Sequence, residues 1–281
     1  MFWKVLPWFF YALSMFGCAT IQSVPSEDLS ALSAGATGQF MYSTPHGSVE
    51  AYLVRPQGRG PFPLVVLLHG HSWRGIGAER VLPAAQLFGA ELCFAGLAIS
   101  LPGYGGTEVS GRRHETSLQV VLEGISRVRK LPWVDPNRLL LYGFSRGAVF
   151  AAMLAGQVEG LSGVVLHSGA YDLNLLYRDT ASRWIRGTLN PNGESQPKLF
   201  SVLTEVSKWN APTLILHGSQ DSLVPVNQAL ALRDTLRTLG KPHRFVLFPE
   251  SGHRLPLGEV GVKAVSFLKE SVGSACPTGG L

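Results

Sequence analysis

The sequence predicts an α/β domain with a mostly parallel central sheet and helices on both faces. Three observations carry that expectation. Apolar runs of strand length alternate with segments patterned as amphipathic helices, an order that builds parallel sheets. Several runs are apolar throughout rather than alternating, as strands covered on both faces are. One run ends directly in a Gly-x-Ser-x-Gly turn, with the small apolar residues of a helix directly after it.

The strand candidates are 51–54, 64–68, 94–100, 139–142, 163–166, 213–216 and 245–248. Between them, 115–131 places Leu118, Val121, Leu122, Ile125 and Val128 at spacings of three and four, which puts them on one helical face. Residues 148–155 start a helix after Gly147. The 226–239 segment repeats the helical pattern, with Gly240 as its stop and Pro242 beyond, and 260–272 closes the domain. Strand candidates on either side of 172–210 stand about forty residues apart, too far for a simple crossover. That stretch holds Trp184 and Trp209, and a short helical cap over 173–210 is expected. The main domain is read as 39–272, and the tail 273–281 is expected to fray.

Composition narrows the class. With 46% hydrophobic and 15% charged residues, the 281-residue chain is too apolar to stay disordered and long enough for a sizeable core. Its 32 Gly and 18 Pro follow no period, which excludes a collagen-like array. The net charge of +5 comes without a dense basic run. Arg112-Arg113 and the cluster from Arg127 to Lys130 read as a solvated helix face, so no nucleic-acid partner is expected.

The N-terminus reads as an export signal over 1–17. Lys4 is the sole charge before Glu27, 5–16 is nearly all apolar, and Pro7 and the short apolar length do not suit a spanning helix. The segment ends Met15-Phe16-Gly17-Cys18, which resembles a bacterial lipoprotein signal in which Cys18 becomes the lipidated N-terminus. Ordinary cleavage near Gly17 or an uncleaved anchor are the alternatives. Ala19 differs from the Asp that marks inner-membrane retention in many such proteins, so an outer-membrane lipid anchor is expected, with periplasmic or secreted protein as the alternative. Residues 18–38, rich in Ser, Ala and Gly from 23 onward, are expected to form a tether. Cys93 and Cys276 then remain: either a disulfide in an oxidising compartment, or a buried thiol and a free cysteine in the tail. No Cys/His spacing suggests zinc, and no metal or cofactor is expected.

The chemistry-bearing residues sit at strand ends. In Gly143-Phe144-Ser145-Arg146-Gly147, a sharp strand-to-helix turn lifts the Ser145 hydroxyl above the sheet at a helix N-terminus. A serine at its ordinary pKa is a poor nucleophile and needs a base and an orienting acid. Asp221 follows the 213–216 strand and His253 follows the 245–248 strand, both where open α/β sheets carry their sites. Asp172 is the reserve acid. Glu250 stands too close in sequence to His253 to orient it, and His69 and His217 are read as structural hydrogen-bonders. His114, His167 and His243 are read as ordinary core or surface residues, and Asp234 as a solvated charge. The oxyanion hole is assigned to the N–H groups of Arg146, next after the nucleophile, and His71, in the loop after the 64–68 strand, with Ser72 as fallback.

Taken together, these motifs resemble an α/β hydrolase, and more narrowly the catalytic domain of the prolyl oligopeptidase and dienelactone hydrolase group. The likeness is carried by 66–73 with its His-Gly turn, by 133–138 leading into the serine motif, and by 211–221 with Val224-Pro225. Residues 248–253 and the Leu101-Pro-Gly-Tyr-Gly-Gly106 loop add to it. It covers roughly residues 40 to 272 and implies a serine hydrolase, without naming a substrate. The sequence departs from the pattern at several places. The N-terminal propeller of dipeptide-releasing relatives is not expected in it. His71 replaces the Gly common after His-Gly, Ser100 stands where many relatives have Asp, and Ala148-Val149 follow Gly147 where a second Gly is frequent. Ser100 is expected to affect loop support rather than chemistry. The expected substrate is a small ester, with a short peptide or amide as the alternative. Acyl transfer and a non-catalytic binding lipoprotein are the remaining readings. Arg178, Arg183 and Arg186 of the cap are read as surface charges.

Overall fold

A computed structural model describes residues 21–109, 114–195, 197–273 and 276. Its strands are β1 (Ile21–Ser23), β2 (Thr37–Thr44), β3 (Gly47–Val54), β4 (Phe62–Leu68), β5 (Ala95–Ile99), β6 (Glu108–Val109), β7 (Val134–Phe144), β8 (Leu161–His167), β9 (Thr213–Gly218) and β10 (His243–Phe248). Its helices are α1 (Leu82–Leu92), α2 (His114–Val128), α3 (Arg146–Leu154), α4 (Leu173–Asp179), α5 (Arg183–Leu189), α6 (Asn227–Thr238) and α7 (Leu257–Val272). The strands join in one sheet, in the order β1-β2-β3-β5-β4-β7-β8-β9-β10, with β6 beside β3. Pairing is parallel from β5 through β4, β7, β8 and β9 to β10, and antiparallel where β3 meets β2, β5 and β6. This is the α/β-hydrolase fold.

The continuous apolar runs explain themselves once the two faces are separated. Successive side chains of a strand point to opposite faces. On β4, Leu64, Val66 and Leu68 enter the core under α2, α3 and α6, while Val65 and Leu67 enter the core under α1 and α7. β7 divides the same way, with Leu139 and Leu141 on one face and Leu140 and Tyr142 on the other. Every β4 residue is buried, so truncating Leu67 to Ala costs about 2–5 kcal/mol.

Helix α2 buries Leu118, Val121, Ile125 and Val128 as their spacing predicts. Helix α6 stops where Gly240 takes a positive φ of 63°, and the Lys241 N–H turns back to Leu236 O at 2.8 Å. Helix α1 was not anticipated. Its signal, Leu82, Ala85, Phe88 and Leu92 on one face, is present but weakened by Pro83 and Gly89.

Two expectations need correction. From Ile21 onward the expected tether is packed: β1 pairs with β2, and Leu29 and Leu32 are buried in the core. The Arg55 guanidinium holds Leu32 O at 2.6 Å, because the first hairpin offers an apolar edge that a Leu-bearing segment can cover. The expected frayed tail carries Cys276, which is disulfide-bonded to Cys93 with Cα atoms 5.1 Å apart. Of that tail only Gly273 and Cys276 are described, and the signal segment 1–17 and Cys18 lie outside the described residues. No described helix is long and apolar enough to cross a membrane.

Candidate active site

The Ser145 turn is as tight as the motif requires. A Cβ on Gly143 would fall 2.4 Å from Gly147 O, and one on Gly147 would fall 2.0 Å from Leu68 O, so only glycine fits on either side. Ser145 itself takes φ 53° and ψ −115°, a strained backbone of the kind that collects at functional sites. Its N–H donates to His167 O at 2.8 Å, which pins the bend to β8. The hydroxyl stands at the N-terminus of α3, where negative charge is favoured.

Three loops converge there. His253 Nε2 lies 2.9 Å from Ser145 Oγ, and its Nδ1 lies 2.7 Å from Asp221 Oδ2. With Asp221 as an acceptor, the proton sits on Nδ1 and Nε2 accepts from the serine hydroxyl. The other carboxylate oxygen of Asp221 accepts the Leu223 and Val224 N–H groups at 3.0 and 2.9 Å. The Asp221 side chain is fully buried, which fixes the geometry the imidazole meets. Behind it, His217 Nε2–H donates to Val224 O at 2.8 Å and lies 3.5 Å from Asp221 Oδ2. Burial pushes the His217 imidazole below its ordinary pKa and keeps it neutral.

Arg146 opens α3, at the end whose N–H groups point out of the helix. The loop after β4 reaches the same place, since a Cβ on Gly70 would lie 3.1 Å from Ser145 Cβ. His71 follows Gly70 and is held by its carbonyl and its ring. Its O accepts the Arg80 guanidinium at 3.1 Å, and its Nδ1 pairs with Tyr104 OH at 2.5 Å. His69, two residues earlier, donates from Nδ1 to Gly70 O at 2.8 Å and accepts the Leu101 N–H at Nε2, 3.0 Å away. Burial pushes its pKa down to about 4, so it is a neutral hydrogen-bonder.

The model of the prolyl oligopeptidase family matches residues 107–271. The chain belongs to that family. Membership places it among enzymes of the serine-hydrolase kind, peptidase or esterase-like. Dipeptidyl-peptidase 5 of Porphyromonas endodontalis is 26% identical over 170 residues, covering 54% of this chain and 24% of its own length. The acylaminoacyl peptidase of Pyrococcus horikoshii superposes with a TM-score of 0.70 at 17% identity, over 89% of this chain and 44% of the other. The esterase Pf2001 of Pyrococcus furiosus superposes with a TM-score of 0.68 at 16% identity, over 92% of this chain and the whole of the other. The chain therefore spans about a quarter of the length of the dipeptidyl peptidase it matches.

Within this member of the prolyl oligopeptidase family the rival acids and bases have other work. Asp172 caps α4 through the Leu175 N–H at 2.9 Å and accepts Ser201 Oγ at 3.0 Å. Glu250 is exposed. His167 is buried against Tyr142 OH at 2.9 Å. Burial, with the charges His253 and His217 can carry, pushes its pKa down to about 3. Among the cap arginines, Arg178 pairs with Asp179 at 2.6 Å.

Two groups at the site were missed. Tyr104 belongs to a loop whose motif was noted without a role for its hydroxyl. Glu50 is a charge inside an apolar strand, and a buried carboxylate of that kind is itself a signal. It accepts from Ser100 Oγ at 2.7 Å, Gly106 N at 3.0 Å and Gln39 Nε2 at 2.8 Å, tying the 101–107 loop to β3. Ser100 also receives the Ala78 N–H at 2.9 Å, so it supports two loops at once. Among the described residues, no three His, Cys, Asp or Glu side chains are grouped to hold a metal.

Proposed function

We propose that this chain is an exported serine hydrolase that cleaves a carboxylic ester through an acyl-enzyme on Ser145. The unbroken hydrogen-bond chain from Ser145 Oγ through His253 to Asp221 carries this reading. Ser145 attacks the carbonyl carbon as His253 Nε2 takes its proton. Asp221 holds the ring in the useful tautomer and stabilises the imidazolium that forms. The N–H groups of Arg146 and His71 receive the oxyanion. His253 then returns the proton to the departing alkoxide, and water, deprotonated by the same nitrogen, releases the acid.

An ester comes first because an alcohol leaves a tetrahedral intermediate more readily than an amine. Family membership and the relatives named as peptidases support a second reading, a short peptide or amide. p-Nitrophenyl esters measured beside aminoacyl amides separate the two, and faster amide turnover would reverse the order. A fluorophosphonate probe should label the purified protein and leave Ser145→Ala unlabelled. Equal labelling of both would end the hydrolase reading.

Lipidation at Cys18, export by 1–17 and an outer-membrane address belong to the same proposal. They rest on the sequence signal and on the Cys93–Cys276 disulfide, a bond that persists in oxidising compartments. Radiolabelled palmitate should enter the protein and be lost in Cys18→Ser. Label kept in that variant would remove the anchor.

A further inference from the structure

Cys18 stands three residues before Ile21, the first residue of β1. A chain spans at most about 3.6 Å per residue, so lipid on Cys18 would join the fold within about 11 Å of Ile21. β1 forms one edge of the sheet, and Ile21 is 45% exposed there. The place of that edge relative to Ser145 decides which side of the enzyme a bilayer would meet.

Strand register fixes that place. Ile21 pairs with Thr37, Thr37 with Val54, Val54 with Gly96, Gly96 with Val65 and Val65 with Leu140, one row across six strands. Ser145 follows Leu140 by five residues, about 15 Å along the strand direction, and β1 lies five strands from β7, about 24 Å along the row. β1 is parallel to β2, and two antiparallel pairings carry the same direction to β5, so the chain before Ile21 leaves the row away from the catalytic loops. Contacts beneath the row hold the strand starts together. The Gly35 N–H donates to Arg55 O at 3.0 Å, the Arg55 guanidinium lies 5.1 Å from the centre of the Trp133 ring, and Trp133 O accepts the Phe62 N–H at 2.9 Å. The starts of β2, β4 and β7 thus share one base with the N-terminal edge.

The loops at that base carry cations. Arg59 before β4 and Lys130 before β7 are exposed, with Arg129 half-buried next to Lys130. Glu91 and Glu159 oppose them, while Asp135 is spent on Arg138 at 2.6 Å. Lys and Arg close to an anionic leaflet are drawn to it within a Debye length. A lipid chain and a basic patch together hold a protein more firmly than one chain alone. The mouth above Ser145 has exposed apolar side chains of its own, Trp73 after β4 and Trp184 in α5, whose rings lie 4.5 Å apart. They stand at the opposite end of the strands from Cys18.

The geometry points to a defined seat on the membrane: the corner formed by β1 and the loops of Arg59, Arg129 and Lys130 rests on an anionic phospholipid surface, and the catalytic mouth opens to the water. The inference rests on the proposed lipidation of Cys18. It adds a substrate class to the hydrolase reading, esters delivered in solution rather than lipids of the bilayer that carries the enzyme.

The experiment uses the lipidated full chain in vesicles of phosphatidylethanolamine and phosphatidylglycerol, with an acceptor dye on the headgroups. Donor dyes are attached to Asn137→Cys, exposed near the start of β7, and to Gly187→Cys, where a Cβ meets nothing within 4 Å in α5. The label at 137 should transfer energy at least about twofold more efficiently than the label at 187, since roughly a strand length separates their heights. Equal transfer, or stronger transfer from the cap, would overturn the seat. Arg59→Glu/Lys130→Glu should lower transfer from the label at 137 to the value found on phosphatidylcholine vesicles, and unchanged transfer would overturn the cationic contact. Flotation with the vesicles, lost in Cys18→Ser, is read first. A wild-type chain that does not float removes the anchor and the seat together, whereas one that floats with its cap nearer the lipid keeps the anchor and loses the seat. p-Nitrophenyl butyrate should be hydrolysed as fast on vesicles as in detergent, and a severalfold loss on vesicles would mean a mouth turned toward lipid.

Discussion

The Glu50 carboxylate accepts a 2.7 Å hydrogen bond from Ser100 Oγ, although the two residues stand fifty positions apart on strands β3 and the end of β5. Many relatives carry Asp at the position of Ser100. In this chain the loop finds its carboxylate on the neighbouring strand instead. Glu50→Gln replaces a carboxylate that accepts from Gln39, Tyr52, Ser100 and Gly106 by an amide that must turn N–H groups toward donors. The expected cost is about 2–3 kcal/mol, seen as a fall of about 5 °C in Tm. A Tm within 1 °C of wild type would mean that the network is not needed for loop support.

Tyr104→Phe removes the hydroxyl that meets His71 Nδ1 at 2.5 Å and leaves the ring in place. Loss of one bond that holds the oxyanion residue should lower kcat about five- to tenfold with little change in KM. A rise in KM at constant kcat would assign the contact to substrate binding rather than to the oxyanion loop.

His167 predicts a pH dependence of stability. Its folded pKa is pushed down to about 3, against about 6.5 when unfolded. Between those values the unfolded chain binds a proton that the native chain refuses. Its contribution is therefore complete above about pH 6.5 and lost as pH falls toward 3, at up to about 1.4 kcal/mol per pH unit. His167→Gln should flatten the loss of unfolding free energy between pH 6.5 and 4.5, measured by urea titration at each pH. An unchanged slope would show that His167 is protonated in the native state.

The disulfide closes a loop of 183 residues in sequence. Cys276→Ser should cost about 2–4 kcal/mol. Cys93 precedes the N-terminal end of β5, at the end of the strands opposite the catalytic loops, so kcat at 25 °C should stay within about twofold of wild type. Thermal unfolding with and without reductant checks the first value and steady-state assays the second.

Ser145, Asp221 and His253 were legible because each stands in a short motif at the end of an apolar strand. The strands place them, and Ser145 and His253 meet across 108 residues without any further signal. The central strands were legible for the same reason, since burial on both faces leaves an unbroken apolar run. Glu50 with Ser100, Tyr104 with His71, and Trp73 with Trp184 were not. Each joins side chains from separate loops or strands, and neither partner has a pattern that names the other. The Cys93–Cys276 pairing stayed open for a related reason, because it depends on two positions 183 residues apart meeting within 7 Å. The packed segment from Ile21 was hidden by its Ser- and Gly-rich composition, which reads the same in a loose linker as in a surface strap.

The bond from Cys93 to Cys276 also makes most of this protein a covalent ring. A protease that cuts the exposed stretch around Gly193 would leave one molecule, its two pieces still joined through sulfur. Ser145 and His253 lie on opposite sides of such a cut, so the ring keeps nucleophile and base in one body after the backbone between them has been severed. In surroundings rich in proteases, a single nick would pass unseen on a non-reducing gel.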